Sequence, residues 1–196
     1  MSSVTDHYSQ LLAPIYSWMI GGAEAAFSLG MADLETVCPP KTGFAVDLGA
    51  GFGMHTVPLA RCGWNVLSLD TSAELLSELL AWTRGQNVRT VCADLLRFPE
   101  YLETPETADL ILCMGDTLPH LNSLAAVEEL ARRVAQSLSP AGRFVATFRD
   151  YSRLPEGPQR FIPVRADDQR IMTCFLEAFP DYVQVHDIVH ARRDGC

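Results

Sequence analysis

Basic residues are in short supply in this sequence. Fifteen lysines and arginines face 24 aspartates and glutamates, giving a formal net charge of −9. A phosphate backbone would meet a repulsive field, and no cluster of lysine and arginine relieves it, which argues against nucleic acid as a partner. Long apolar runs are missing too: none reaches the roughly 20 positions of a membrane span. The first residues, MSSVTDHYSQLL, lack a basic stretch followed by an apolar one, so no secretory signal is read there. No membrane partner is expected. The six cysteines, Cys38, Cys62, Cys92, Cys113, Cys174 and Cys196, form no C-x-x-C pair. Scattered in this way, they read as reduced thiols of a cytoplasmic protein, several packed as small hydrophobes. His186 and His190 would share one face of a strand, but no third ligand accompanies them, so no metal site is expected.

What is present is an ordinary globular composition, 48% apolar and 20% charged, over 196 residues, enough for one domain with a sizeable core. Residues 7–37 read as helical, broken at Gly21-Gly22 and ended by Pro39-Pro40. The chain then alternates. Strands are expected at Phe44–Leu48, Asn65–Leu69, Val88–Ala93, Asp109–Met114 and Arg143–Phe148. Helices are expected at Met54–Cys62, Ser72–Thr83 and Ser123–Leu138, with a short polar segment at Arg97–Glu103. Ser72 stands where a helix cap belongs. This alternation predicts an α/β fold with a mostly parallel sheet covered by helices on both faces. The tail differs: Arg160–Arg165, Arg170–Ala178 and Tyr182–Ala191 read as antiparallel strands joined by turns at ADDQ and FPDY, finishing the same sheet. After them, Arg-Arg-Asp-Gly-Cys reads as a turn that would feed a further strand.

The stretch FAVDLGAGFGMHTVPLA carries the chemistry. In open parallel sheets, ligands sit beyond the carboxyl ends of the strands, which is where Asp47, Gly49, Gly51 and Gly53 fall. A phosphate-binding P-loop needs Gly-Lys-Ser/Thr, and the chain reads Gly53-Met54-His55-Thr56. A dinucleotide fingerprint needs a third glycine where Met54 or Thr56 stands. The pattern is D-x-G-x-G-x-G. It resembles the first motif of class I S-adenosylmethionine-dependent methyltransferases. Asp70 closes the next strand in NVLSLD, Asp94 the third in TVCADL, DLILCMG matches the fourth, and LSPAGRFVATF resembles the turn into the fifth, with Ala141 in place of a glycine. The resemblance spans roughly residues 40–150.

It implies a Rossmann-like doubly wound domain over residues 1–196: an N-terminal helical lid at 1–38, a cofactor core at 40–150 and antiparallel strands at 151–196, working as a monomer or homodimer. It implies S-adenosylmethionine as cofactor and S-adenosylhomocysteine as product. Asp47, Gly49, Gly51, Gly53, His55, Asp70, Asp94, Leu95 and Met114 would hold the cofactor. Asp70 would accept from the ribose hydroxyls, and Asp94 would face the adenine. Tyr8 and Tyr16 would either shield the sulfonium by cation–π contact, Tyr16 then counting with the cofactor residues, or pack the helix, whereas Trp18 reads as packing the helix on the sheet.

The ends of the fourth and fifth strands, Gly115-Asp116-Thr117-Leu118-Pro119-His120-Leu121 and Arg149-Asp150-Tyr151, look similar to the glycine and sarcosine N-methyltransferase branch. There Asn stands where Asp116 is, and the arginine matching Arg149 binds the substrate carboxylate. The implied acceptor is a small polar molecule, with Asp116 and His120 as catalytic groups and Thr117, Arg149 and Tyr151 as acceptor contacts. Two roles stay open for Arg149: holding an anionic group, or pairing with Asp150 or another acid. His120 either works in catalysis or braces its loop. A carboxylate at position 116 would favour the charged, unreactive form of an amine, which weighs against glycine itself and leaves a hydroxyl, an amine of lower pKa or a larger, carboxylate-bearing zwitterion. Three other readings compete: a cofactor-binding protein without turnover, a nicotinamide enzyme lacking its third glycine, and a nucleic-acid methyltransferase lacking both a basic groove and the Asn/Asp-Pro-Pro-Tyr/Phe element.

Overall fold

Five strands form one parallel sheet: β1 (Phe44–Leu48), β2 (Asn65–Asp70), β3 (Val88–Cys92), β4 (Ala108–Cys113) and β5 (Leu138–Ala146), in the order β3-β2-β1-β4-β5. The computed structural model of the chain describes residues 12–39, 41–104 and 107–192, so the expectations for Tyr8, Pro40 and Cys196 lie outside it. The strand order turns back between β1 and β4, the position where such sheets open a crevice. Alternate residues of β1 serve two cores. Ala45 packs with Leu34, Leu59, Trp64, Leu110 and Leu112 on one face. Val46 and Leu48 pack with Phe98, Ile111, Leu130 and Val134 on the other. Burial on both faces is why the central strands β1, β2 and β4 read as nearly continuous apolar runs.

The helices are α1 (Tyr16–Met19), α2 (Ala23–Val37), α3 (Thr56–Arg61), α4 (Ala73–Trp82) and α5 (Leu124–Ser137). Gly21 and Gly22 separate α1 from α2, as expected, with φ of 101° and 97° that side-chain-bearing residues rarely adopt. Ser72 and Ser123 cap α4 and α5 by accepting from Leu75 N at 3.3 Å and Ala126 N at 3.2 Å, caps of about 1 kcal/mol each. α2 lies directly on the glycine-rich turn. A Cβ at Gly30 would stand 1.9 Å from the Met54 carbonyl oxygen, so only glycine permits this approach. Among the described residues, no helix is long and apolar enough to cross a membrane.

Four local expectations are corrected. The polar segment at 97–103 is part of a 3-10 helix, Leu95–Tyr101, whose Phe98 is fully buried in the core. β5 starts at Leu138 rather than Arg143 and ends at Ala146, because Leu138 pairs with Ala108 and the ladder resumes at Arg143–Leu110 after a register shift. α3 is a shorter helix than Met54–Cys62, since Gly51 to His55 remain in turn conformation. The tail strands β6 (Phe161–Ala166), β7 (Arg170–Ala178) and β8 (Val183–Ala191) form a separate antiparallel sheet in the order β6-β7-β8, instead of finishing the parallel one.

That second sheet has its own partner. Met172 and Cys174 pack on Leu12, Ile15, Tyr16, Trp18 and Met19. Trp18 does pack a helix on a sheet, but on this one: Arg165 and Arg170 lie over its ring, and its Nε1 donates to Asp167 Oδ2 at 2.5 Å. The N-terminal helices therefore bridge the glycine-rich turn and the antiparallel sheet.

Candidate functional site

Where β1 ends, the backbone must reverse within a few residues. Gly49 N and Ala50 N both donate to the Leu69 carbonyl at 2.9 Å, tying the turn to the end of β2. Asp70 completes the tie. Its Oδ2 accepts from Gly51 N at 2.8 Å and its Oδ1 from Ser72 N at 2.8 Å. Burial raises the Asp70 pKa above the ordinary carboxylate value, and the backbone N–H bonds pull against that shift. Asp94 acts similarly one strand further on, where its Oδ1 accepts from Leu96 N at 2.8 Å and caps the 3-10 helix.

These strand ends border a cavity of about 300 Å³, at the lower end of the range for small-molecule sites, roughly 300–1,000 Å³. Of the residues assigned to the cofactor from sequence, Tyr16, Gly49, Gly51, His55, Asp70, Asp94, Leu95 and Met114 line it. Asp47 and Gly53 do not. Asp47 is 2% exposed beneath the turn, accepting from Thr56 Oγ1 at 2.6 Å, while Thr56 Oγ1 lies 2.8 Å from Ser68 Oγ. Burial raises its pKa, against the opposing effects of His55 and the Thr56 hydroxyl. Asp47 thus braces the turn from below. Gly53 packs against Leu79 and Val57. At Gly51 the backbone faces open space, since a Cβ there would meet nothing within 4 Å. At Gly49 the near neighbour is the Thr117 side chain, so that glycine serves the meeting of β1 with the segment after β4.

The cavity suits S-adenosylmethionine on three counts. The Asp70 carboxylate is held by the Gly51 and Ser72 N–H groups, and a carboxylate oxygen can accept more than one bond. Leu69, Ala93, Leu95 and Leu96 supply apolar walls for a flat base, and Gly51 lets a ligand reach the backbone. The Tyr16 ring, edge-on to Phe52 at 5.8 Å, closes the site from α1. His55 Nε2 lies 3.2 Å from Asp33 Oδ2, which links the turn to α2. Among the described residues, no three His, Cys, Asp or Glu side chains gather to hold a metal. His186 instead meets Glu177 across the β7–β8 ladder at 2.9 Å.

The ends of β4 and β5 form the opposite side. Gly115 N donates to Thr147 Oγ1 at 3.0 Å, Thr147 N to the Cys113 carbonyl at 3.2 Å, and Thr117 Oγ1 to the Met114 carbonyl at 2.9 Å. Thr117 and His120 line the cavity, whereas Asp116, Arg149 and Tyr151 do not. Those three are brought together beside it. Asp116 Oδ1 accepts from Arg149 N at 2.7 Å and its Oδ2 from Arg149 Nε at 2.5 Å. Of the two roles open to Arg149, pairing with another acid is realised, and the acid is Asp116. Asp150 turns away to accept from Ser152 N. Burial pulls the Arg149 pKa down, but Asp116 and Tyr151 outweigh it, and the net shift is upward. Burial raises the Tyr151 phenol, opposed by the Arg149 charge and a hydrogen bond to that side chain.

Sequence reasoning missed Thr71, Leu121 and Asn122, which also line the cavity. Thr71 directly follows Asp70 and Asn122 directly precedes the Ser123 cap, so adjacency to assigned positions was the available signal.

A family model described as a methyltransferase domain matches residues 45–142, half of the chain. The glycine/sarcosine N-methyltransferase of Aphanothece halophytica is 31% identical over 80 residues, covering 40% of this chain and 29% of that protein. Its namesake from Halorhodospira halochloris is 29% identical over 108 residues, covering 54% and 40%. The chain thus spans less than half the length of these curated relatives. The solved structure of the CcbJ methyltransferase from Streptomyces caelestis aligns with a TM-score of 0.73 at 20% identity, over 94% of this chain and 75% of that one, a likeness of fold.

Proposed function

The chain belongs to the class I S-adenosylmethionine-dependent methyltransferases, and we propose that it transfers a methyl group to a small polar acceptor, an amine or a hydroxyl compound. S-adenosylmethionine, its cofactor, supplies when bound an electrophilic methyl group on a cationic sulfonium. In this reading Asp70 accepts from the ribose hydroxyls, Asp94 and Leu95 border the adenine, and Gly51 admits the ligand to the backbone. Tyr16 covers the site and excludes water, which strengthens the remaining electrostatic contacts. Thr117, His120 and Asn122 orient the acceptor. Alignment of the two reactants is the main contribution such a protein can make, and His120, on the cavity wall, can receive the acceptor's proton.

The observation that supports this reading best is that a single cavity runs from Gly51 and Asp70 to Thr117, His120 and Asn122. Incubation with S-adenosylmethionine and a panel of small amines and alcohols, with S-adenosylhomocysteine quantified, tests it. Acceptor-dependent product is expected. Tight S-adenosylhomocysteine binding with no product from any acceptor would favour a cofactor-binding protein without turnover.

A further inference from the structure

Two side chains of the short helix α1 serve different parts of the molecule. Successive residues of a helix turn by about 100°, so positions 16 and 18 point to nearly opposite sides. Tyr16 lines the cavity and stands edge-on to Phe52 of the glycine-rich turn, with ring centroids 5.8 Å apart. Trp18 packs against the antiparallel sheet together with Leu12, Ile15 and Met19. Tyr16–Met19 makes little more than one helical turn, so its side chains move as one body. Tyr16 therefore cannot swing off the cavity without drawing Trp18 off the sheet.

The hold on Trp18 comes from the turn between β6 and β7. Trp18 Nε1 donates to Asp167 Oδ2 at 2.5 Å. Arg165 and Arg170 lie over its ring, 5.8 and 5.7 Å from the centroid, in cation–π contact. The other oxygen of Asp167 belongs to the turn itself: Oδ1 accepts from Gln169 N at 2.8 Å and from Arg170 N at 2.7 Å. The Gln169 N–H bond, then those of Trp18 and Arg170, keep the Asp167 carboxyl below the ordinary carboxylate range. It is thus an ionised acceptor, and its bond to the indole is charge-assisted. Behind α1 the chain breaks at Gly21 and Gly22, with φ of 101° and 97°. A Cβ at Gly21 would stand 3.0 Å from Arg165 Nη1, so the arginine that covers Trp18 also reaches this break. None of Trp18, Arg165, Asp167 and Arg170 lines the cavity.

We propose that Asp167 is a positioning residue that acts through Trp18 to fix Tyr16 over the cavity, and so sets how long an adenosyl ligand stays bound. The inference rests on the methyltransferase reading and gives the antiparallel sheet a part in it, as the anchor of the cavity's cover. Release of the ligand past Tyr16 requires the indole–carboxylate bond to break. The cost of breaking it falls on the dissociation rate.

The test is the dissociation rate of labelled S-adenosylhomocysteine from the full chain, chased with unlabelled ligand. Trp18→Phe keeps an aromatic ring and removes the donor. Asp167→Asn keeps the oxygen that holds the turn and sets an amide NH2, which cannot accept, against the indole. Each should speed dissociation about tenfold, as expected for loss of one hydrogen bond to a charged group. The double variant should be no faster than the faster single one, because both remove the same bond. In a Tyr16→Ala background Asp167→Asn should have no further effect, a result that a merely structural role for the turn would not give. Unchanged dissociation in both single variants, or an Asp167→Asn effect that persists undiminished without Tyr16, would overturn the proposal. Failure of the wild type to bind S-adenosylhomocysteine would instead bring down the methyltransferase reading on which it stands.

Discussion

At the ends of β2 and β3 the carboxylates hold backbone. At the ends of β4 and β5 a carboxylate holds a guanidinium. Asp70 and Asp94 each accept from N–H groups close by in sequence or in the adjoining turn, and both still face the cavity. Asp116 and Arg149 lie far apart in the chain and meet only because β4 and β5 are neighbours in the sheet. The first arrangement is a local, rigid cradle. The second is a long-range pairing between the ends of neighbouring strands. A cofactor common to a whole family suits the former, and an acceptor particular to one protein suits the latter, since such a pair can be rebuilt without disturbing the cradle.

If that contrast is right, damage to the cradle should be the most severe. Asp70→Ala removes the acceptor for Gly51 and Ser72 and the proposed partner of two ribose hydroxyls. Loss of two hydrogen bonds to a charged group, about 1.5–3 kcal/mol each, predicts at least about 100-fold weaker S-adenosylhomocysteine binding by calorimetry. Retention of wild-type affinity would detach Asp70 from the site.

Gly30→Ala should come next. Its Cβ would collide with the Met54 carbonyl oxygen, forcing α2 off the turn at about 1–3 kcal/mol, seen as a melting point lower by several degrees. An unchanged melting point would mean that α2 is not clamped on the cradle.

The smallest effect is chemical and separates the two ends. Cys92, exposed at the end of β3, should be alkylated by iodoacetamide at mildly alkaline pH, as should the exposed Cys62. Cys113 and Cys174 are buried and pushed up to about 12, so they stay neutral and unreactive in the folded protein. Peptide mass spectrometry reads this directly. Ready alkylation of Cys174 would show that the antiparallel sheet does not stay packed on the N-terminal helices.

The same contrast decides what could be read in advance. Phe44–Leu48, the break at Gly21-Gly22 and the Ser72 cap are set by neighbouring residues, and the structure has them where local pattern put them. Phe98 was illegible because one aromatic among Arg97, Pro99 and Glu100 makes no periodic signal. Its burial is decided by Val46, Ile111 and Leu130 across the sheet. The start of β5 was misjudged because Ser139-Pro140-Ala141-Gly142 reads as a turn, whereas pairing with β4 carries the strand through it. The antiparallel strands were found, but their independence from the main sheet was not, because it depends on the apolar N-terminal segment they cover. The cradle residues followed from spacing and resemblance together. The Asp116–Arg149 pair followed from neither, because no local rule links positions 116 and 149.

The most direct measurement is a thermal melt of the purified chain alone and with S-adenosylmethionine, S-adenosylhomocysteine or NADH. A ligand held only by the folded protein, at 100 times its dissociation constant, stabilises by about 2.7 kcal/mol, a shift of several degrees. A shift with both adenosyl ligands and none with NADH is the predicted result. A shift with NADH alone, or none with either adenosyl ligand, would contradict the assignment of the cavity between Gly51 and Asp70 to S-adenosylmethionine.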